Sequence, residues 1–319
     1  MGEILRVEHL KKYFSNPSGM LHAVDDVSFS INEGETLGVV GESGCGKSTL
    51  GRVILRLLEP TGGRMIFDGK DITEIGKKEI RELRRHMQII FQDPYSSLNP
   101  RLCVTELIAD PIKTYRLMDS AQRQKRVYEL MDMVGLARRF SFSYPHELDG
   151  GRRQRIGVAR ALSLEPKFIV CDEPVSALDV SIQAQMLNLL QDLQVQQGLT
   201  YIFITHDLSV VKHISTDILV LYIGTMVEKS SARELFKTPL HPYTKGLLSA
   251  IPTPNVNRER KRVELHGELS SPVDPKDECR FAARCRYASE ICRERAPEYE
   301  EVLPGHFVTC HNVRQINSM

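Results

Sequence analysis

The sequence predicts an α/β fold with a mixed, mostly parallel sheet, on three observations. Short apolar strands alternate with helical stretches through to about residue 235. A glycine-rich loop, Gly41-Glu42-Ser43-Gly44-Cys45-Gly46-Lys47-Ser48-Thr49, lies between the apolar strand Thr36 to Val40 and the helically spaced stretch Leu50 to Leu58. The apolar strand Phe168 to Glu173 ends on two carboxylates, Asp172 and Glu173, where open α/β sheets place their chemistry.

Composition narrows the class before any motif is weighed. A chain of 319 residues exceeds one average domain, so one large domain with an appendage is expected. Lys and Arg (42) balance Asp and Glu (41), which leaves no basic field and argues against nucleic acid as the main partner. No apolar run reaches the length of about 20 residues that spans a bilayer. The start, Met-Gly-Glu-Ile-Leu-Arg-Val-Glu, lacks a basic-then-apolar signal pattern, so a cytoplasmic location is expected. In that compartment the seven cysteines read as thiols or metal ligands before disulfides.

In chain order, residues 4–14 are expected to form an edge strand, followed by the alternating strand Ala23 to Ile31. Tyr13 can stack on an adenine ring or serve as an ordinary strand aromatic. The loop Gly41 to Thr49 fits G-x-x-x-x-G-K-[ST] in its proper strand–loop–helix context. Its glycines let backbone N–H groups turn inward around a β-phosphate, helped by the helix N-terminus. Lys47 then reaches the β- and γ-phosphates, and the Ser48 hydroxyl holds Mg²⁺.

Beyond the loop helix come a short strand near Met65, a charged helix from Lys77 to His86, and a buried strand from Met87 to Phe91. That strand ends on Gln92, which suits Mg²⁺ or an attacking water, or a plain polar strand cap. Helical periodicity over 105–136 marks an inserted helical subdomain, placed at about 95–160. Leu148-Asp149-Gly150-Gly151-Arg152 then leads into a helix, and its Gly-Gly pair opens either a second anion-binding helix N-terminus or a tight turn. Asp172 suits a water-mediated Mg²⁺ contact and Glu173 suits polarising water toward a γ-phosphate. The strand Leu199 to Thr205 ends on His206, a further γ-phosphate candidate.

Taken together, these residues resemble the ATP-binding subunit of an ABC transporter over roughly residues 4–250. The resemblance implies a P-loop NTPase core with an antiparallel β edge. It implies Tyr13, Gly41, Ser43, Gly44, Cys45, Gly46, Lys47, Ser48 and Thr49 as the nucleotide site. Gln92, Glu173 and His206 become the catalytic set, and Ser48, Gln92 and Asp172 the Mg²⁺ ligands. Ser176-Ala177-Leu178-Asp179 resembles the D-loop. In that family two ATPases pair head to tail, each lending its signature loop to the other's ATP. Membrane subunits dock near the glutamine loop, here Gln92 to Asn99, and the ATPases sit on the cytoplasmic face of the membrane.

The signature loop departs from the family's Leu-Ser-Gly-Gly-Gln at Asp149 and Arg152. A carboxylate facing a triphosphate costs about 1 kcal/mol or more, partly offset by Arg152. The expectation is a heterodimer, with a second ATPase subunit supplying an intact signature loop.

Residues 251–319 form a second region, opened by the linker-like Ile251-Pro252-Thr253-Pro254-Asn255. His241 to Pro252 and Gly267-Glu268-Leu269-Ser270-Ser271-Pro272 are similar to the ATPases of oligopeptide, dipeptide and nickel importers. Cys279, Cys285, Cys292 and Cys310 are separated by five, six and seventeen residues, unlike the paired C-x₂-C of common zinc sites. They resemble that family's iron–sulfur segment, so a [4Fe–4S] cluster is expected, with zinc or unligated or paired thiols as alternatives.

The implied function is the ATP-hydrolysing motor of a di- or oligopeptide importer. Its implied partners are two integral membrane permease subunits and, indirectly, an extracellular substrate-binding protein. Nickel or a metallophore is the alternative cargo. Rival readings are a soluble ABC ATPase working on ribosomes or nucleic acid, and a non-hydrolysing regulatory subunit suggested by Asp149.

Overall fold

The computed structural model describes residues 2–251 and 271–319. Two stretches singled out above, Pro252 to Asn255 and Gly267 to Ser270, lie outside the described residues. Among those described, the strands are β1 (Glu3–Asn16), β2 (Gly19–Asn32), β3 (Thr36–Val40), β4 (Gly62–Phe67), β5 (Lys70–Asp71), β6 (Met87–Ile90), β7 (Phe168–Asp172), β8 (Thr200–Ile204), β9 (Asp217–Tyr222), β10 (Thr225–Ser231), β11 (Tyr299–Leu303) and β12 (His306–Thr309). The chain forms two compact units, residues 1–74 with 203–319 and residues 75–202. It crosses back to the first within β8.

In the first unit, β2-β1-β4-β5 make an antiparallel sheet. β1 is not the edge strand expected from the sequence. It pairs with β2 on one side (Leu5↔Ile31) and with β4 on the other (Leu5↔Phe67). The pattern of Ile4, Leu5 and Val7 fixes which face is buried, whereas strand neighbours are set by distant segments.

The second sheet of this unit runs β11-β12-β10-β9-β3. β3 and β9 are parallel (Val39↔Leu219), and from β9 outward the pairing is antiparallel. The tight turn after Tyr222, with Ile223 at φ 43° and Gly224 at φ 76°, forces this change, because such a turn joins only antiparallel strands. The C-terminal region thus extends the sheet, with Val308 opposite Glu228 and Phe307 opposite Lys229. Glu228 is fully buried there. It accepts the Leu240 and His241 N–H groups at 2.7 and 3.0 Å, and His306 Nε2 lies 2.7 Å from it, so its buried charge is well supplied with partners.

In the second unit, β6 and β7 pair in parallel from Met87↔Phe168 to Ile90↔Cys171, with β8 next to β7 in the sheet. Helices Val104–Tyr115, Ser120–Met133 and Gly150–Leu162 pack together through Leu107, Ile108 and Ile112, Leu130 and Met131, and Ile156 and Val158. They correspond to the helical stretch expected over 105–136 and the helix after Gly151. No helix among the described residues is long and apolar enough to cross a membrane.

Candidate functional site

The first unit holds the phosphate-loop sequence between β3 and helix Lys47–Ile54. Gly41, Gly44 and Gly46 take φ values of 154°, 79° and 103°. A Cβ at Gly41 would come within 2.2 Å of the Leu221 carbonyl oxygen, and one at Gly46 within 2.0 Å of that of Ala23. Only glycine fits at those two positions. Lys47 is 5% exposed, and its Nζ donates to the carbonyls of Gly41 and Glu42 at 2.8 and 2.9 Å. Ser43 and Gly44 are exposed at the loop's tip, and Ser48 and Thr49 are half-buried in the first helical turn. Cys45 is buried, and that burial pushes its thiol pKa up, so it is a packing residue of the loop rather than a nucleophile.

Glu42, to which the sequence assigns no role, is the hub of this loop. Its N–H donates to the Tyr243 hydroxyl at 2.9 Å and its carbonyl accepts from Lys47. Its carboxylate takes two bonds from Arg284, at 2.7 and 3.1 Å. Glu42 and Arg284 are 242 positions apart, so no local pattern announces the pair.

Tyr13 stacks on His22, with ring centroids 3.8 Å apart, and its hydroxyl donates to Asp25. Asp25 also meets His22 Nδ1 at 2.8 Å and receives the Arg280 guanidinium. Burial opposes ionisation of Asp25, but the bonds from His22 and Tyr13 and the charge of Arg280 together hold its carboxyl below the usual range. In the same unit His206 is exposed after β8. It precedes helix Leu208–Ile214, which Asp207 caps by accepting the Ser209 N–H at 2.8 Å.

The second unit carries the remaining candidates. Asp172 is 3% exposed at the end of β7. Glu173 follows at φ 48°, a left-handed conformation uncommon for a residue with a side chain, and one that turns the chain sharply at the strand's end. Gln92 Nε2 donates to Glu173 Oε2 at 3.1 Å, which brings together two residues 81 positions apart that the sequence singles out separately. Ser176 Oγ donates to the Glu173 carbonyl at 3.1 Å, and Asp179 caps helix Val180–Gln197 through the Ile182 N–H at 3.0 Å.

Leu148 is buried and Asp149 is the N-cap of helix Gly150–Leu162. The Asp149 carboxylate accepts the Arg152 N–H at 2.8 Å and pairs with the Arg152 guanidinium at 2.5 Å. Gly151 is close-packed, since a Cβ there would lie 2.8 Å from Ile182 Cγ2. Asp serves as an N-cap as well as Ser does, so the substitution leaves the helix intact. What changes is the charge at its N-terminus.

Cys279, Cys285, Cys292 and Cys310 are free thiols in the first unit. Burial, reinforced by the neighbouring cysteines, pushes Cys279 up to about 12 and Cys310 up to about 11. Among the described residues, no three His, Cys, Asp or Glu side chains converge tightly enough to hold a single metal ion.

Comparison with known proteins finds relatives that match nearly the whole chain. The ABC transporter family matches residues 24–176, and the oligopeptide/dipeptide transporter C-terminal region matches 227–292. The oligopeptide transport ATP-binding protein AppF of Bacillus subtilis (strain 168) is 49% identical over 318 residues, covering 97% of each chain. OppF of the same organism, with the same description, is 50% identical over 310 residues, covering 97% of this chain and 96% of its own.

Two solved structures are similar to it in fold. The ATP-binding cassette MJ0796, a dimer in a post-hydrolysis state bound to ADP and phosphate, superposes with a TM-score of 0.67 at 31% identity, covering 72% of this chain and 99% of its own. The subunit cbiO1 of Clostridium perfringens, part of an ABC transporter complex, gives 0.67 at 29%, covering 75% and 92%. With the glycine loop, the carboxylate-ended strand and the cysteine-bearing C-terminal region all in place, the chain belongs to the family of ABC-transporter ATP-binding subunits of the oligopeptide/dipeptide class.

Proposed function

We propose that this chain is the ATP-hydrolysing motor subunit of a peptide importer, coupling ATP binding and hydrolysis to transport through membrane subunits. The observation that carries this is end-to-end likeness to oligopeptide transport ATP-binding proteins, C-terminal region included. That region speaks against the ribosome- or nucleic-acid-directed alternative, and the relatives' names favour peptides over nickel or a metallophore.

Lys47 exchanges its two carbonyl acceptors for the β- and γ-phosphates when ATP binds, while Tyr13 offers the adenine a ring already braced by His22 and Asp25. Mg²⁺, where bound, neutralises phosphate charge, with Ser48, Gln92 and Asp172 as its proposed holders. Glu173 takes the proton of the attacking water, Gln92 fixes the orientation of its carboxylate, and His206 faces the γ-phosphate. The exposed Tyr95 beside Gln92 offers membrane subunits an aromatic contact at the cytoplasmic face. We divide the chain into an ATPase domain, 1–250, with its helical insertion at about 95–160, and a C-terminal region, 251–319.

The four cysteines are proposed to hold a [4Fe–4S] cluster, on their resemblance to the family's iron–sulfur segment. Cys279 feels the charges of Cys292, Cys310 and Cys285, and Cys310 those of Cys285 and Cys292, so the four cysteines lie in one region. Cys292 Sγ also receives Asn312 Nδ2 at 3.7 Å and has Ser289 Oγ at 3.5 Å, polar contacts of the kind that tune cluster sulfurs. Anaerobically purified protein is expected to carry iron and acid-labile sulfide with visible charge-transfer absorbance, all lost in Cys285→Ser. Stoichiometric zinc without iron would contradict the assignment.

Asp149 supports pairing with a different ATPase. Its carboxylate caps the helix as a serine would, but adds negative charge at the N-terminus that is to face a γ-phosphate. Purification of the tagged chain from its own membranes in mild detergent tests both points. Two multi-span proteins and a second ATPase with a Ser-bearing signature loop are expected. Two copies of this chain would overturn the heterodimer, and ribosomes or DNA without membrane proteins would overturn the importer.

A further inference from the structure

The segment between Cys279 and Cys285 does more than carry thiols. Arg280 and Arg284 both leave it toward residues of the proposed nucleotide site. Arg280 pairs with Asp25, which holds the Tyr13 hydroxyl, and it also donates to the Ile223 carbonyl. Arg284 forks onto both carboxylate oxygens of Glu42. The Arg284 side chain is 8% exposed and that of Glu42 28%, so the pair is largely shielded from water and its geometry is the bidentate one that binds most strongly.

Glu42 poses a problem that Arg284 solves. A carboxylate inside a loop built to receive a triphosphate repels the ligand unless its charge is matched. Its backbone is also fixed at both ends, by Tyr243 at the N–H and by Lys47 at the carbonyl. Drift of its side chain would therefore pull on the carbonyl that stations Lys47. Resting on the ATP-binding role proposed above, we propose that Arg284 is a positioning residue for the phosphate loop, neutralising and anchoring Glu42. The cysteine-bearing segment is in this way a structural part of the nucleotide site, with Arg280 bracing the Tyr13 side.

The test is direct titration of the purified complex with a fluorescent ATP analogue, alongside thermal melting. Arg284→Ala is expected to raise the Kd about tenfold, because it leaves the Glu42 charge unmatched beside the phosphates. Glu42→Gln removes that charge together with the ionic pair, and is expected to raise the Kd less than Arg284→Ala does. The double variant Arg284→Ala/Glu42→Gln is expected to bind as Glu42→Gln alone does, more tightly than Arg284→Ala. A role confined to holding the C-terminal region in place would lower the melting temperature equally in single and double variants, with no recovery of Kd, and would overturn the proposal.

An Arg284→Ala Kd within twofold of wild type in folded protein would overturn it too. Should Arg284→Ala not fold, Arg284→Lys keeps the charge without the fork and is expected to raise the Kd about threefold, again relieved by Glu42→Gln. Wild-type complex that binds no nucleotide would instead sink the ATP-binding role itself, a result separable from either of these.

Discussion

Glu173→Gln is expected to lower ATP turnover by about 10²- to 10⁴-fold, the range of a general base, while ATP binding survives. The substitution keeps the side chain's shape and its bond from Gln92, whose Nε2 lies 3.1 Å from Glu173 Oε2. What it removes is the ability to take a proton from water. Glu173 holds a left-handed backbone, φ 48°, directly after the buried Asp172. Such strain is kept where the surrounding structure insists on one side-chain direction. Steady-state phosphate release with a parallel nucleotide titration checks the result. Unchanged turnover would remove Glu173 from the mechanism, and lost binding would make it a nucleotide-site residue instead.

Lys47→Ala is expected to raise the Kd for ATP by about 100-fold or more, with turnover falling alongside. Each charge-assisted hydrogen bond contributes about 1.5–3 kcal/mol, and a tenfold change in affinity corresponds to about 1.4 kcal/mol. Losing the ammonium forfeits its phosphate contacts. The two variants differ in a readable way, since Glu173→Gln separates binding from chemistry and Lys47→Ala removes both. Isothermal titration with ATP distinguishes them, and a Lys47→Ala protein that binds ATP as wild type would refute the phosphate-loop role.

Local chemistry made part of this legible from the sequence. The glycines at 41, 44 and 46 announce left-handed backbone because no other residue suits it, and the strand–loop–helix order needs only neighbours. Asp149 and Asp179 are N-caps, readable from a carboxylate opening a helical stretch. Long-range pairing was not legible. Alternation along β1 shows its buried face but not that β2 and β4 flank it on both sides. Nothing near Arg284 signals Glu42, and nothing near Arg280 signals Asp25. The hairpin joining β9 to β10, which turns a parallel sheet antiparallel, rests on left-handed Ile223 as much as on Gly224. An isoleucine is an unlikely herald of such a turn.

The most direct test of the motor function is uptake of a labelled oligopeptide by the complete complex reconstituted in lipid vesicles, with ATP on the side of this subunit. Wild-type complex should accumulate peptide only while hydrolysing ATP, and the Glu173→Gln complex should bind ATP and accumulate none. Peptide accumulation that persists in the Glu173→Gln complex, or hydrolysis by the wild type without peptide movement, would contradict a peptide-importing motor.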